Sequence, residues 1–254
     1  MQRRGVIQLF AAAAGLWATQ QLPASAALLQ DAAPAAGDSP DAPKHPLLPV
    51  FPLRMVLFPG TILALHIFEE RYKEMIHDCL QNEREFGILL ARDEKVKSIG
   101  CSASIIEVLR RYPDGRMDIL VRGQRRFELT ELNQEKSYLR GDAEFFEDEE
   151  DKKSEPPIEK LRQQAARLRE RVRKLAETEE PGSNTPTPAP SPAASDALIS
   201  FQAVAEFPAD LGWKQSLLEL RSERERLLKV NQYLQELGDY LERDPANRVP
   251  AGKA

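Results

Sequence analysis

The sequence predicts an α+β fold, with a small β-barrel-like domain carrying one helix and a C-terminal helical bundle behind it. Three observations predict it. About six strand-like segments and a single amphipathic helix follow Leu47 within roughly 100 residues. Beyond them the apolar spacing changes to alternating threes and fours, the helical period. The 19 prolines cluster, so they mark linkers between folded parts instead of a disordered whole.

In chain order, residues 1–26 read as a signal peptide. Arg3 and Arg4 make a basic start, Val6 to Ala18 is mostly apolar, and Ala24-Ser25-Ala26 offers a small-x-small cleavage site. Gln8, the Thr19-Gln20-Gln21 break and Pro23 leave this stretch too short to span a membrane, so no transmembrane segment is expected after its removal. Cleavage would take the formal net charge from −5 to −7, because the segment holds two cations and no acid. An exported, periplasmic or extracytoplasmic protein is the expectation, with a cytoplasmic one as the alternative. Residues 27–46, rich in Ala, Pro, Asp and Gly, read as a flexible lead-in.

The β domain is expected over 47–147. "LLPVFPL" and "MVLF" read as extended pieces, with Pro52 and Pro59-Gly60 bounding a strand from Leu53 to Phe58. "TILALHIF" reads as a buried strand. Tyr72, Met75, Ile76, Cys79 and Leu80 share one face of a helix. "FGILLAR" returns to a strand. A hairpin is expected over 105–123, because Tyr112-Pro113-Asp114-Gly115 is a turn signal and Met117, Ile119 and Val121 alternate with Asp118, Leu120 and Arg122. "RRFELTEL" and "YLRGDAEFFE" add two more strands.

Residues 148–157 read as an acidic solvated linker. Over 158–180, Ile158, Leu161, Ala165, Leu168, Val172 and Leu175 form a heptad helix seam, entered through Pro156-Pro157. A Pro-rich linker covers 181–195, a helical subdomain 196–244 and a tail 245–254. Within the subdomain Ser195-Asp196 and Asp210 are placed to cap helices. Trp213, Leu217, Leu220, Leu227, Leu234 and Leu241 keep the helical spacing, but Arg224, Asn231 and Gly238 interrupt it. That favours packing on the chain's own core over a long self-associating coiled coil.

The residue inventory excludes most chemistry. No phosphate-cradling glycine motif, nucleophile elbow or H-E-x-x-H occurs. Of the histidines, His45 lies in the lead-in, His66 reads as a core or barrel-facing side chain with a local partner, and His77 sits off the apolar helix face. Cys79 and Cys101 leave two alternatives open, a disulfide if the chain is exported or two buried thiols. The run Glu147 to Asp151 lacks the turn-forming spacing of a cation cage. Arg110, Arg111, Arg116, Arg122, Arg125 and Arg126 lie among Glu107, Asp114, Asp118 and Glu128, which reads as mixed surface charge more than a phosphate or RNA site. Arg54 reads as a surface charge. No catalytic, cofactor-binding or metal-binding residue is assigned, no cofactor is expected, and no peptide-binding residue is singled out.

The segments "LPVFPLRMVLFPGTILALHIFEERYKEMI", "GILLAR", "IGCSASIIEVLRRYPDGRMDILVRGQRRFEL" and "YLRGDAEF" together resemble the N-terminal substrate-binding domain family of Lon protease. The resemblance covers Leu47 to about Phe146, and "ALISFQAVAEFPADLGWKQSLLEL" looks like the helical subdomain that follows in that family. It implies a PUA-like pseudo-barrel followed by helices. In Lon protease this region recognises substrates and helps assembly, while the ATPase and Ser-Lys protease lie in later domains. This sequence carries neither set of motifs, so a stand-alone, non-enzymatic module is expected. Its partners would be unfolded or peptide segments of other proteins, with a separate protease or chaperone beside it. The alternative is an RNA-binding PUA-like module, which the net negative charge disfavours; the oligomeric state is left open.

Overall fold

The structure, a computed structural model, describes residues 7–8, 47–92, 95–151, 155–176 and 198–243. The lead-in with His45, nearly all of the expected signal segment, the Pro-rich stretch with Ser195-Asp196, and the tail lie outside the described residues.

A two-residue β1 (Ile7–Gln8) pairs with the first residues of β5. The longer strands are β2 (Leu48–Leu53), β3 (Ile62–Ile67), β4 (Phe86–Arg92), β5 (Lys95–Arg111), β6 (Met117–Asn133) and β7 (Arg140–Phe146). Helix α1 (Glu70–Gln81) lies between β3 and β4; α2 (Ile158–Ala176), α3 (Ile199–Ala205), α4 (Leu211–Glu219) and α5 (Glu223–Arg243) follow the strands. The fold is thus mixed α+β, as predicted.

Pairing closes a ring. β5 lies on β4, β4 runs parallel to β2, β2 is antiparallel to β7, β7 to β6, and β6 returns to β5. Closure leaves those strands no open edge along the ring. β3 joins from outside, antiparallel to the first six residues of β6. The expected 105–123 hairpin is present and longer than its signal. β5 and β6 each run 17 residues about the Tyr112–Arg116 turn, where Gly115 takes φ +83°. "RRFELTEL" is not a separate strand but the second half of β6.

The opening proline segment differs from expectation. β2 contains Pro49 and Pro52, and the chain leaves strand geometry after Leu53. Amide directions alternate along a strand. Val50 N–H donates to Leu139 O at 2.8 Å, so Pro52 faces the same side, past the end of the β7 ladder. Pro49 faces β4 before that ladder begins at Val50–Gly87. Each missing donor therefore falls where no acceptor waits. Pro59-Gly60 then turns the chain: Gly60 takes φ +75°, its N–H donates to Gly123 O, and Gly123 N–H donates to Thr61 O. A Cβ on Gly123 would stand 2.2 Å from Phe58 O, so this crossing admits only glycine.

One core runs through both parts. The α1 face of Tyr72, Met75, Ile76 and Cys79 packs with Ile67, Ile119 and Val121, and Phe58 stacks on Phe201 of α3 at 5.5 Å. Each such large side chain contributes about 1.5–3 kcal/mol by leaving water. Val50, Leu89, Phe127 and Leu129 form a second cluster with Leu48. Cys79 and Cys101 are both buried free thiols. The α2 seam of Leu161, Ala165, Leu168 and Val172 packs against α5 of the same chain. α2 and α5 run in the same direction, since Arg162 pairs with Glu223 near both starts and Arg171 with Asp239 and Glu242 farther along. Asp210 caps α4 as expected, accepting from Trp213 N–H at 3.0 Å.

Candidate functional site

β3, the first half of β6 and the second half of β5 form a three-stranded sheet that extends beyond the ring. Alternation assigns its two faces. Leu63, Leu65, Ile67, Met117, Ile119, Val121 and Val108 turn toward the core. The opposite face carries Ile62, Ala64 and His66 of β3, paired in register with Arg122, Leu120 and Asp118 of β6. β5 adds Ser104, Glu107 and Arg110 by register, and Ile106 and Leu109 sit at two of its three bulges against β6. No element covers this face among the described residues. Of the seven exposed large hydrophobic side chains among the described residues, four belong to this sheet or follow it directly: Ile62 at 37%, Ile106 at 46%, Leu109 at 51% and Phe68 at 59% exposure. Exposed apolar side chains gathered on one sheet face, here among His66, Asp118, Arg122 and Arg110, make it a candidate interaction surface. β3 pairs only with β6, so its outer edge is open among the described residues. Its sequence, ILALHI, holds no charge or proline to block an added strand.

At one end of the face His66 Nδ1 lies 2.6 Å from Asp118 Oδ1, and Tyr112 O–H donates to Asp118 Oδ2 at 2.8 Å. Hydrogen bonding, first from His66 and then from Tyr112, holds the Asp118 carboxyl below the usual carboxylate range. The Arg110 guanidinium stacks on the Tyr112 ring at 4.6 Å. His66 is therefore not a core histidine. It has the expected local partner, but an even position on β3 turns it to solvent. The Tyr112 ring meets the His66 ring edge-on at 5.9 Å, so His66, Asp118 and Tyr112 form one exposed cluster.

A groove of about 580 Å3 lies between α1 and the β5–β6 turn. Within it Lys73 Nζ donates to Glu70 and to Asp114 O, Arg116 to Asp114, and Ser137 to Glu74. Arg71, whose partner Glu69 lies outside the lining, and Arg111, which reaches only the Met117 sulfur, add positive charge to the same groove.

The hairpin arginines do not converge. Arg125 lies over Phe145 at 3.9 Å and within 3.5 Å of Glu85, Arg111 reaches the Met117 sulfur, and Arg116 bonds Asp114. Arg126 is buried. Its guanidinium meets Asp148 at 2.6 Å and the Leu218 and Leu220 carbonyls, and burial lowers its pKa. Asp148 also takes two bonds from the fully buried Arg226, which donates as well to Ser200. Asp151 takes a bidentate contact from Arg224. The acidic run therefore does not lie free in solvent at Asp148 and Asp151; both strap the helices to the barrel. The sequence hid this because Arg226 stands 78 residues from Asp148. Arg122 is different again. Its Nε is buried without a hydrogen-bond partner, and its charge has no carboxylate among the described residues. Arg54 lies exposed just past β2, and His77 is exposed on α1.

No group of three or more His, Cys, Asp or Glu among the described residues is arranged to hold a metal ion. No helix among them is long and apolar enough to cross a membrane. Burial raises the thiol pKa of Cys79 to about 11 and pushes that of Cys101 up further, so neither is a ready nucleophile.

Comparison with known proteins agrees with this architecture. A Lon protease of Parabacteroides distasonis is 31% identical over 123 residues, covering 45% of this chain and 15% of that protein. A second Lon protease, of Herpetosiphon aurantiacus, is 27% identical over 209 residues, covering 77% of this chain and 24% of its own length. The chain thus spans a quarter or less of the curated relatives it matches. The crystal structure of a Lon N-terminal domain protein from Xanthomonas campestris superposes with a TM-score of 0.55 at 25% identity, over 73% of this chain and 97% of the other. The N-terminal domain of a Mycobacterium avium complex Lon protease shares the fold, with a TM-score of 0.51 at 17% identity. The ATP-dependent protease La (LON) substrate-binding domain family matches residues 47–236, barrel and helices together, and the chain belongs to that family.

Proposed function

We propose that this chain is a non-catalytic recognition module that binds exposed segments of other polypeptides and presents them to a separate protease or chaperone. The open apolar face of β3, β6 and β5 carries this reading, beside membership of a substrate-binding domain family. Apolar side chains held on a sheet offer contact area at little ordering cost. The high thiol pKa values support a role without cysteine catalysis. The scattered hairpin arginines give no continuous basic track, so an RNA-binding role is not favoured.

Immobilised protein is expected to retain β-casein, which is naturally unfolded, and to pass a folded, disulfide-bonded control. Replacing Ile106 and Leu109 together by lysine should abolish retention while leaving the melting temperature unchanged. Equal retention by the double variant would overturn the assignment of this face. The N-terminal basic-apolar segment supports export as the setting for this work; fractionation with N-terminal sequencing of the mature chain tests that, and an intact Met1 in the cytoplasm would refute it.

A further inference from the structure

Resting on the recognition reading above, we infer that the bound segment joins the sheet as a strand on the outer edge of β3, with an acidic side chain of that segment held by Arg122. Three observations converge. The β3 edge is open among the described residues and carries neither charge nor proline. Edges left in that state add strands, because a row of backbone donors and acceptors faces outward without partners. The face beside this edge is apolar at Ile62, Ala64 and Leu120, so alternate side chains of an added strand would meet matching surface.

Arg122 supplies the chemistry that selects the occupant. It lies directly across from Ile62 on the same face. No carboxylate among the described residues pairs with it, and of its nitrogens only Nε is buried without a partner, so the terminal nitrogens are the ones within an incoming carboxylate's reach. The other outward acids are placed elsewhere. Asp118 is engaged by His66 and Tyr112, and Glu107 lies on β5, on the side of β6 away from β3. A strand beside β3 would stand about 9.6 Å from β6, two strand spacings. An extended arginine and a glutamate side chain close that gap between them. Charge complementarity therefore selects an extended apolar segment bearing a carboxylate near its centre. A basic segment would place like charges on Arg122 and Arg110.

The test uses the full chain and a short fluorescent peptide of alternating valine and threonine with one central glutamate. Fluorescence anisotropy should show saturable binding. Replacing the glutamate by glutamine should weaken binding roughly tenfold, the cost of one charge-assisted bond. N-methylation of alternate backbone amides should abolish it, a loss that a purely apolar contact would not produce. Arg122→Gln, which removes no ion pair within the described residues, should erase the difference between the two peptides without changing the melting temperature. Equal affinity of the N-methylated peptide, or an undiminished glutamate preference in Arg122→Gln, would overturn the inference. A concentration-dependent dimer that excludes the peptide would also overturn it, giving the edge to a second copy. β-casein retention separates the two levels. Casein retained with no peptide discrimination sinks strand addition alone; neither retained sinks the recognition reading as well.

Discussion

Arg226 is fully buried, and its charge is matched by the same Asp148 carboxylate that serves Arg126. Two guanidiniums thus share one acid, with Ser200 O–H and the Leu218 and Leu220 carbonyls taking the remaining donors. Both cations lie against Phe201, at 5.4 and 4.0 Å. Replacing a buried polar network whole can be neutral, but removing one partner leaves uncompensated charge in low dielectric. Asp148→Asn is therefore expected to cost about 3 kcal/mol, read as a fall in the urea midpoint with the slope unchanged. Lys97→Ala, which removes an exposed pair with Glu219 on the same interface, should cost less than about 1 kcal/mol.

Elements differed in how much of themselves the sequence displays. The β5–β6 hairpin was legible because its signals are local: a Pro-Asp-Gly turn and strict alternation at Met117, Ile119 and Val121. The extended piece "LLPVFPL" contains β2, but the expected strand from Leu53 to Phe58 does not form; β2 keeps its prolines because Pro49 sits before the β4 ladder begins and Pro52 past the end of the β7 ladder. His66 was assigned to the wrong side because an apolar run does not reveal which alternate positions face out. The exposed face of β3, β6 and β5 is not legible in the sequence. It joins Ile62 to Leu109 through register and bulges, and neither is written in any one segment. The α2–α5 seam shows the converse, since its interruptions had predicted a partner within the chain. Asn231 donates to Leu161 O, while Gly238 makes room for Arg171. A Cβ at Gly238 would meet only the flexible end of Arg171, at 3.0 Å. Gly238→Ala should thus raise stability by about 0.5 kcal/mol, since helix propensity outweighs a small shift of an exposed ion pair. A lower thermal midpoint in that variant would show that the arginine cannot move aside.

Several paired carboxyls among the described residues shift in the same direction. Asp78, hydrogen-bonded first by Lys136 and then Tyr138, Asp151 by Arg224 and Asp239 by Arg171 all have carboxyl pKa values held below the usual range. Groups depressed in the folded state stabilise it above their ordinary pKa and lose that contribution as pH falls through the folded value. Stability should therefore be flat from about pH 7 to 5 and fall progressively below about pH 4. Urea midpoints measured across that range check it. Screening keeps each exposed pair small, so the slope should flatten further in high salt.

The strand ring has a temporal consequence. Its last seam joins Leu48 to Gly141, nearly the whole β domain apart in sequence. Contacts so distant must wait for a large loop to close, which makes barrels of this kind slow to form. A chain emerging in order from a ribosome or a translocation pore would present β2, with four consecutive residues destined for burial, long before β7 exists to receive it. A protein proposed to hold the sticky segments of others would therefore begin its own life as one of them, and the interval before Gly141 arrives is when it most needs an escort.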